Sequence, residues 1–216
     1  TTTRDGKLHL DPFEPLNSLT MVGMLNDRGE EAIITFDHSD VEATPDGHSI
    51  VQQWLDDTTV LICHNVAHDL LWLWETGFKY DGAVFDTMLV EYVLQRGQKE
   101  PLSLEACAER HELETQKQDS LKAWLKDGNS VREMPHDELS SYLISDLQAT
   151  YQLYQNQSAR YEDAMGLIPT LKLTQQLVVH LARIYQRGFK VDMEELYRVK
   201  DDFERERNEL LFALEE

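Results

Sequence analysis

Residues 58–77 read TTVLICHNVAHDLLWLWETG. The first six, Thr58 to Cys63, are mostly β-branched or apolar and predict a buried strand. At Asn65 the pattern changes. Asn65 is suited to cap a helix, the apolar run from Leu70 to Trp74 gives that helix a face to bury, and Gly77 stops it. A buried strand running straight into an amphipathic helix points to an α/β fold. Asp69 stands directly against the residues that must be buried. It is therefore a cap, half of an ion pair, or a group that something charged comes to meet.

Outward from this unit the chain alternates strand and helix signals. "SLTMVGML" (18–25) and "EAIITF" (31–36) flank Asn26-Asp27-Arg28-Gly29, which predicts a hairpin. Residues 49–57 carry Ile50, Val51 and Trp54 at helical spacing. "VFD" (84–86) reads as a short strand, and Asp86 as the cap of a helix over 87–95. Beyond Pro101 the pattern is mostly helical. Leu139, Tyr142, Leu143, Asp146, Ala149 and Leu153 follow the 3.6-residue period, with Asp137 expected as the cap. A break at 165–169 suggests a division into domains 1–164 and 165–216. In the second, a helix bearing Leu171, Leu177, Leu181, Ile184 and Tyr185 stops at Gly188. Asp192 then caps another helix, expected to turn Leu196, Val199, Phe203 and Leu210 inward as half of a helical hairpin. The expected fold class is α/β, a mixed β-sheet flanked by helices with a C-terminal helical hairpin.

Composition narrows the function. At 216 residues and 41% apolar the chain can bury a sizeable core. Cys63 and Cys107 form no disulfide framework and suit a reducing cytoplasm. No apolar run approaches the roughly 20 residues that span a bilayer, so no membrane segment is expected. The net charge of −20 argues against nonspecific duplex binding. It is compatible with holding a few nucleotides through divalent cations, which supply the missing positive charge. The acidic stretch from Asp192 onward reads as a solvated helix face. Lys117, Lys122, Lys126 and Arg132 form a locally basic stretch, either a phosphate contact or an ordinary solvated loop.

Asp69 and Asp146 are the two acids whose contexts stand out. Tyr142 lies one helical turn before Asp146, a spacing that puts Cβ atoms roughly 5–6 Å apart and lets phenol and carboxylate address one point. The plainer reading makes Asp69 a cap or ion-pair partner and Tyr142 a packing residue. His64 and His68, four apart, raise a zinc reading. Asn65 occupies the place where a metalloprotease needs its glutamate base, and no third ligand follows at a familiar spacing. His68 is expected to point outward, and Trp72 to join the core.

In combination these pieces resemble a known family. Asn65-x-x-x-Asp69, "FDTMLVEYVL" (85–94) and Tyr142-x-x-x-Asp146 are similar to the second and third motifs of DEDD-type 3′–5′ exonucleases of the tyrosine subclass. The acids are 77 residues apart. "LVVHLARIYQRGFKVDMEEL" (177–196) resembles the segment leading from the proofreading domain into the polymerase of family A DNA polymerases, and "HNVAHDLLWL" is closest to bacteriophage members. The resemblance implies an RNase H-like fold and a single-stranded DNA 3′ end as substrate. It also implies a polymerase domain of the same parent chain as partner, in the cytoplasm of a host cell. Two Mg²⁺ or Mn²⁺ ions are implied as cofactors, with Asp69 and Asp146 as metal ligands and Tyr142 orienting water. Asn65 would support the Asp69 helix or the DNA strand. His68 is placed beside the substrate and Asp86 is a supporting residue. The family's first motif, Asp-x-Glu-Thr, does not occur here. The chain opens as such a sequence continues, so the first strand and two further acids are expected upstream of Thr1, and Thr1 would approach the 3′ nucleotide. With two ligands of four, residues 1–216 alone are expected to turn over poorly. An RNase D-like exoribonuclease and a silent scaffold of a polymerase are the competing readings.

Overall fold

The computed structural model describes residues 2–4, 7–114, 120–160 and 165–215. Strands β1 (Thr2–Arg4) and β2 (Lys7–His9) form a short antiparallel ladder. β3 (Met21–Leu25) and β4 (Glu31–Thr35) form the expected hairpin. Its turn is held by the Asn26 side chain, whose Oδ1 accepts from the amides of Arg28 and Glu30, both at 3.0 Å. Helix α1 (Gly47–Asp57) leads into β5 (Val60–Cys63), then helix α2 (Val66–Glu75). β6 (Ala83–Asp86) runs parallel to β5, pairing Cys63 with Asp86, and passes directly into α3 (Thr87–Leu94). Then come α4 (Leu104–Arg110), α5 (Ser120–Lys126) and the long α6 (His136–Ala159).

The fold is a mixed α/β domain of RNase H-like class with C-terminal helices. The strands described form three two-stranded ladders, and α6 packs on both β3 and β5. β5 was expected to be buried. Val60, at its start, is 43% exposed, and Leu61, Ile62 and Cys63 are half-buried. The main core sets Val66, Leu70, Leu71 and Trp74 of α2 against Val51 and Leu55 of α1, Phe78, Tyr80 and Ile34. Gly77, at φ 92°, lets the chain leave α2 in a left-handed turn, its amide bonding Trp74 O as the sequence predicts. Gly23 of β3 sits under α6 so closely that a Cβ there would lie 2.7 Å from Leu143 Cγ and 2.9 Å from Leu147 Cδ1.

Asp137 does not cap α6. The N-cap position is Pro135, which makes no side-chain cap bond, and Asp137 lies exposed inside the first turn, where its charge suits the helix dipole. The helix start is tied down instead by His136, whose Nε2 lies 3.1 Å from Thr35 Oγ1.

The 165–169 break is a 3₁₀ turn, Met165–Leu167, followed by α7 (Ile168–Arg187). One compact unit runs through Arg183 and a second begins at Ile184. Leu171, Val178 and Ala182 are the buried side of α7. Arg183 bonds Asp81 at 2.9 Å and stacks over Trp74. In the second unit α7 ends at Gly188 and α8 (Met193–Glu215) starts under an Asp192 cap, with the Glu195 amide 3.1 Å from Asp192 Oδ1. The face expected to point inward does not: Leu196, Phe203 and Leu210 are exposed. Leu177, Leu181, Ile184 and Tyr185 of α7 are exposed too, since its buried side is a different stripe.

Candidate active site

The junction between β5 and α2 is built differently from its sequence signal. Asn65 occupies the N-cap position of α2, but at φ 77° and ψ 58° its side chain makes no cap bond. An N-cap side chain reaches the helix amides from an extended backbone, which a left-handed residue does not have. Asp86 takes its place. Its Oδ2 accepts from Val66 N at 3.0 Å, and its Oδ1 accepts from Asn65 N at 3.1 Å, Met88 N at 2.9 Å and Leu89 N at 3.2 Å. One buried carboxylate thus closes the first turns of both α2 and α3. The expected cap of α3 is present, and the cap of α2 arrives from 21 residues away. Sequence reasoning missed this second duty. The only available signal was that an Asp ending one strand lies level with the end of a parallel neighbour.

Asp69 sits in the first turn of α2, half-buried. Burial pushes its carboxyl up to about 7; a hydrogen bond from the Cys63 thiol works against this, and the negative charge of Asp86 adds to it. Burial first, and Asp69 second, push the Cys63 thiol well above the usual cysteine value, so it remains a protonated donor. Among the described residues no Lys, Arg or His forms an ion pair with Asp69. Asp69 is neither cap nor ion-pair partner. It is a carboxylate whose ionised form the described chain leaves unneutralised.

Tyr142 and Asp146 lie one turn apart on α6, both half-buried, with Asp146 Oδ1 shielded from solvent. Leu143 and Leu147, which follow them, are the side chains that press on Gly23. Ser145 and Ala149, on the same side of the helix as Tyr142 and Asp146, are buried. α6 also packs on β5, the strand that ends at Cys63 beside Asp69.

The histidines do not form a metal pair. His64 is held at both nitrogens: Nε2 donates to Leu102 O at 2.8 Å, and Nδ1 meets Thr87 Oγ1 at 2.9 Å. A carbonyl only accepts, so Nε2 carries a proton and is no zinc ligand. His68 is exposed, as expected, and desolvation lowers its pKa from the usual value. Trp72 is half-buried on α2. Thr1 and Lys117 lie outside the described residues. The basic stretch is partly neutralised, with Arg132 on Asp37 at 2.8 Å and Lys122 on Glu105.

Asp69 and Asp146 offer hard oxygens, the donor type that Mg²⁺ and Mn²⁺ take. The half-buried carboxyl of Asp69, with no ion-pair partner among the described residues, is a donor that a divalent cation would fit. Among the described residues no group of three or more His, Cys, Asp or Glu side chains is placed to hold a metal. No helix among them is long and apolar enough to cross a membrane.

The described α/β domain is made of a β-hairpin, a parallel strand pair feeding two capped helices, and a long helix carrying Tyr142 and Asp146. The family model described as 3′-5′ exonuclease, the exonuclease domain of A-type DNA polymerases, matches residues 18–159, well over half of the chain. The chain belongs to this 3′-5′ exonuclease family. Its activity class is therefore hydrolytic and its substrate a nucleic acid. No curated protein matches the chain.

Proposed function

We propose that this chain is the proofreading module of a family A DNA polymerase and trims nucleotides from single-stranded DNA 3′ ends. The observation that carries the site reading is Asp69: a carboxyl raised to about 7 by burial, with no cation of the described chain against it. In this reading Asp69 and Asp146 hold divalent metal, Mg²⁺ or Mn²⁺, two ions per site. When bound, such ions supply Lewis-acid stabilisation of charge on the scissile phosphate. Tyr142, one turn before Asp146, orients the attacking water through its hydroxyl. In this reading Asn65 and His68, both exposed at the start of α2, contact the DNA strand. Asp86 supports the assembly from beneath.

The test is cleavage of a labelled single-stranded oligonucleotide by the intact protein. Asp146→Ala abolishes hydrolysis while circular dichroism stays unchanged. Tyr142→Phe slows it by about 100-fold, since water positioning is lost and the metal ligands remain. An unchanged rate in Asp146→Ala overturns the site assignment. Preference for RNA over DNA ends supports the RNase D-like alternative.

A further inference from the structure

We infer that Asp86 is a positioning residue for Asp69: its single carboxylate fixes the register at which α2 presents that side chain. The inference rests on the reading of Asp69 given above, but its geometric basis is separate. An unsatisfied helix start frays or finds another partner, and the side chain expected to cap α2, Asn65, does not do so. Asp86 supplies both bonds to Asn65 N and Val66 N, and Asp69 follows within the same turn.

Asp86 is itself held rigidly. It is 1% exposed, and the Gln175 side chain clamps its backbone from α7, accepting from Asp86 N at 2.7 Å and donating to Asp86 O at 3.2 Å. The parallel ladder sets Asp86 level with Cys63, the residue that hydrogen-bonds Asp69. Strand β6 and helix α7 thereby control the helix that carries Asp69, without touching any reacting atom.

The two oxygens divide the work in a way that a substitution can separate. Asp86→Asn can keep an acceptor at the Oδ1 position for Met88 and Leu89, but it puts an NH₂ against Val66 N, where two donors oppose each other. Amide hydrogen exchange on the chain is the first readout. Asp86→Asn is expected to speed exchange at Val66 and through the first turn of α2 by about tenfold, while Met88 and Leu89 keep their protection. The second readout is Mn²⁺ alone, followed by paramagnetic broadening of α2 amides. The Mn²⁺ concentration for half-broadening should rise by about 10- to 100-fold, the usual effect of removing a partner that orients a ligand. Gln175→Ala, which keeps the carboxylate but frees its backbone, should move both readouts in the same direction by less, and it serves if Asp86→Asn fails to fold.

Wild-type exchange at Val66 in a folded Asp86→Asn protein, or an unchanged Mn²⁺ dependence, overturns the positioning role. Asp69→Asn is the separate control. If it leaves Mn²⁺ broadening of α2 untouched, the metal reading of Asp69 fails, and the exchange data still decide whether Asp86 sets the helix.

Discussion

Glu91 is a carboxylate inside an otherwise apolar helix, α3, and only 3% exposed. Its Oε1 accepts from Arg110 at 2.8 Å, and its Oε2 meets His111 Nε2 at 2.9 Å and accepts from Gln157 at 3.1 Å. Gln157 also donates to Thr87 O, so this one acid joins α3, the end of α4 and the far end of α6. Burial alone would raise its pKa. The bonds from His111 and Gln157, the charge of His111 and the bond from Arg110 outweigh that, taking it from 4.5 to about 2. That difference corresponds to about 3 kcal/mol, at roughly 1.4 kcal/mol per unit. A depressed carboxyl stabilises the fold fully above the unfolded value, and the contribution is lost as pH falls from about 4.5 toward 2. Glu91→Ala should therefore cost about 3 kcal/mol at pH 7.5. The nearly buried His111 and the buried Gln157 lose their partner, while Arg110, 29% exposed, can rehydrate. Urea unfolding followed by tryptophan fluorescence, for wild type and variant at pH 7.5 and pH 3, measures this directly. The gap should narrow by more than half at the lower pH, and Glu91→Gln should show little pH dependence of its own. A gap that is the same at both pH values would mean the loss is packing alone, and the electrostatic account would be wrong.

Asp69 has the opposite sign. Its folded value of about 7 lies above the ordinary carboxyl value of 3.8, so its ionisation destabilises the fold progressively between about pH 4 and pH 7. Its contact with solvent discounts the full shift to about 2 kcal/mol. In EDTA, Asp69→Asn should stabilise the chain by that amount at pH 8 and by almost nothing at pH 4, measured by urea midpoints. Equal effects at both pH values would contradict the burial argument. Gly23→Ala forces a methyl against Leu143 and Leu147 and should cost about 1–3 kcal/mol. It should also slow exonuclease cleavage by the intact protein, because those two leucines follow Tyr142 and Asp146 on the same helix. Wild-type stability would show that α6 shifts freely at this contact.

What the sequence disclosed was local. The hairpin at 26–29, the passage from β5 into α2, the stop at Gly77 and the caps at Asp86 and Asp192 all depend on residues within a few positions of one another. Each is where the pattern puts it. What it concealed was register. Nothing in the order of residues says that Cys63 pairs with Asp86, yet that pairing brings the Asp86 carboxylate to the amides of Asn65 and Val66. Asn65 was the reasonable cap by type, and a left-handed backbone removed it from the task. The Glu91 cluster was half-visible: an acid between Val90 and Val93 needs a partner, and Arg110 and His111 supply one across a loop that periodicity does not describe. The apolar stripe of α8 was correctly seen as a stripe, but a stripe predicts a buried face only when another element covers it.

The contrast between Asp69 and Asp86 carries the functional argument furthest. They are neighbours in one electrostatic environment: each adds negative charge beside the Cys63 thiol, and Asp86 adds to the upward push on Asp69. Asp86 is the more deeply buried of the two, yet four backbone amides converge on its oxygens and offset its charge. Among the described residues Asp69 has only a thiol, a weak donor. A fold that provides four donors for one buried acid had the means to neutralise the other, and the first turn of α2 is where such donors are available. Replacing Asp69 by an apolar residue would remove the burial cost altogether. The sequence instead keeps a carboxylate there, on a rigid helix backed by Leu70, Leu71 and Trp74, one strand away from the helix bearing Tyr142 and Asp146. A charge held in place at a cost to stability and left unneutralised by the described chain is what a ligand for an external cation requires. Loss of that cost in Asp69→Asn, together with loss of cleavage, would tie the two properties to one oxygen pair.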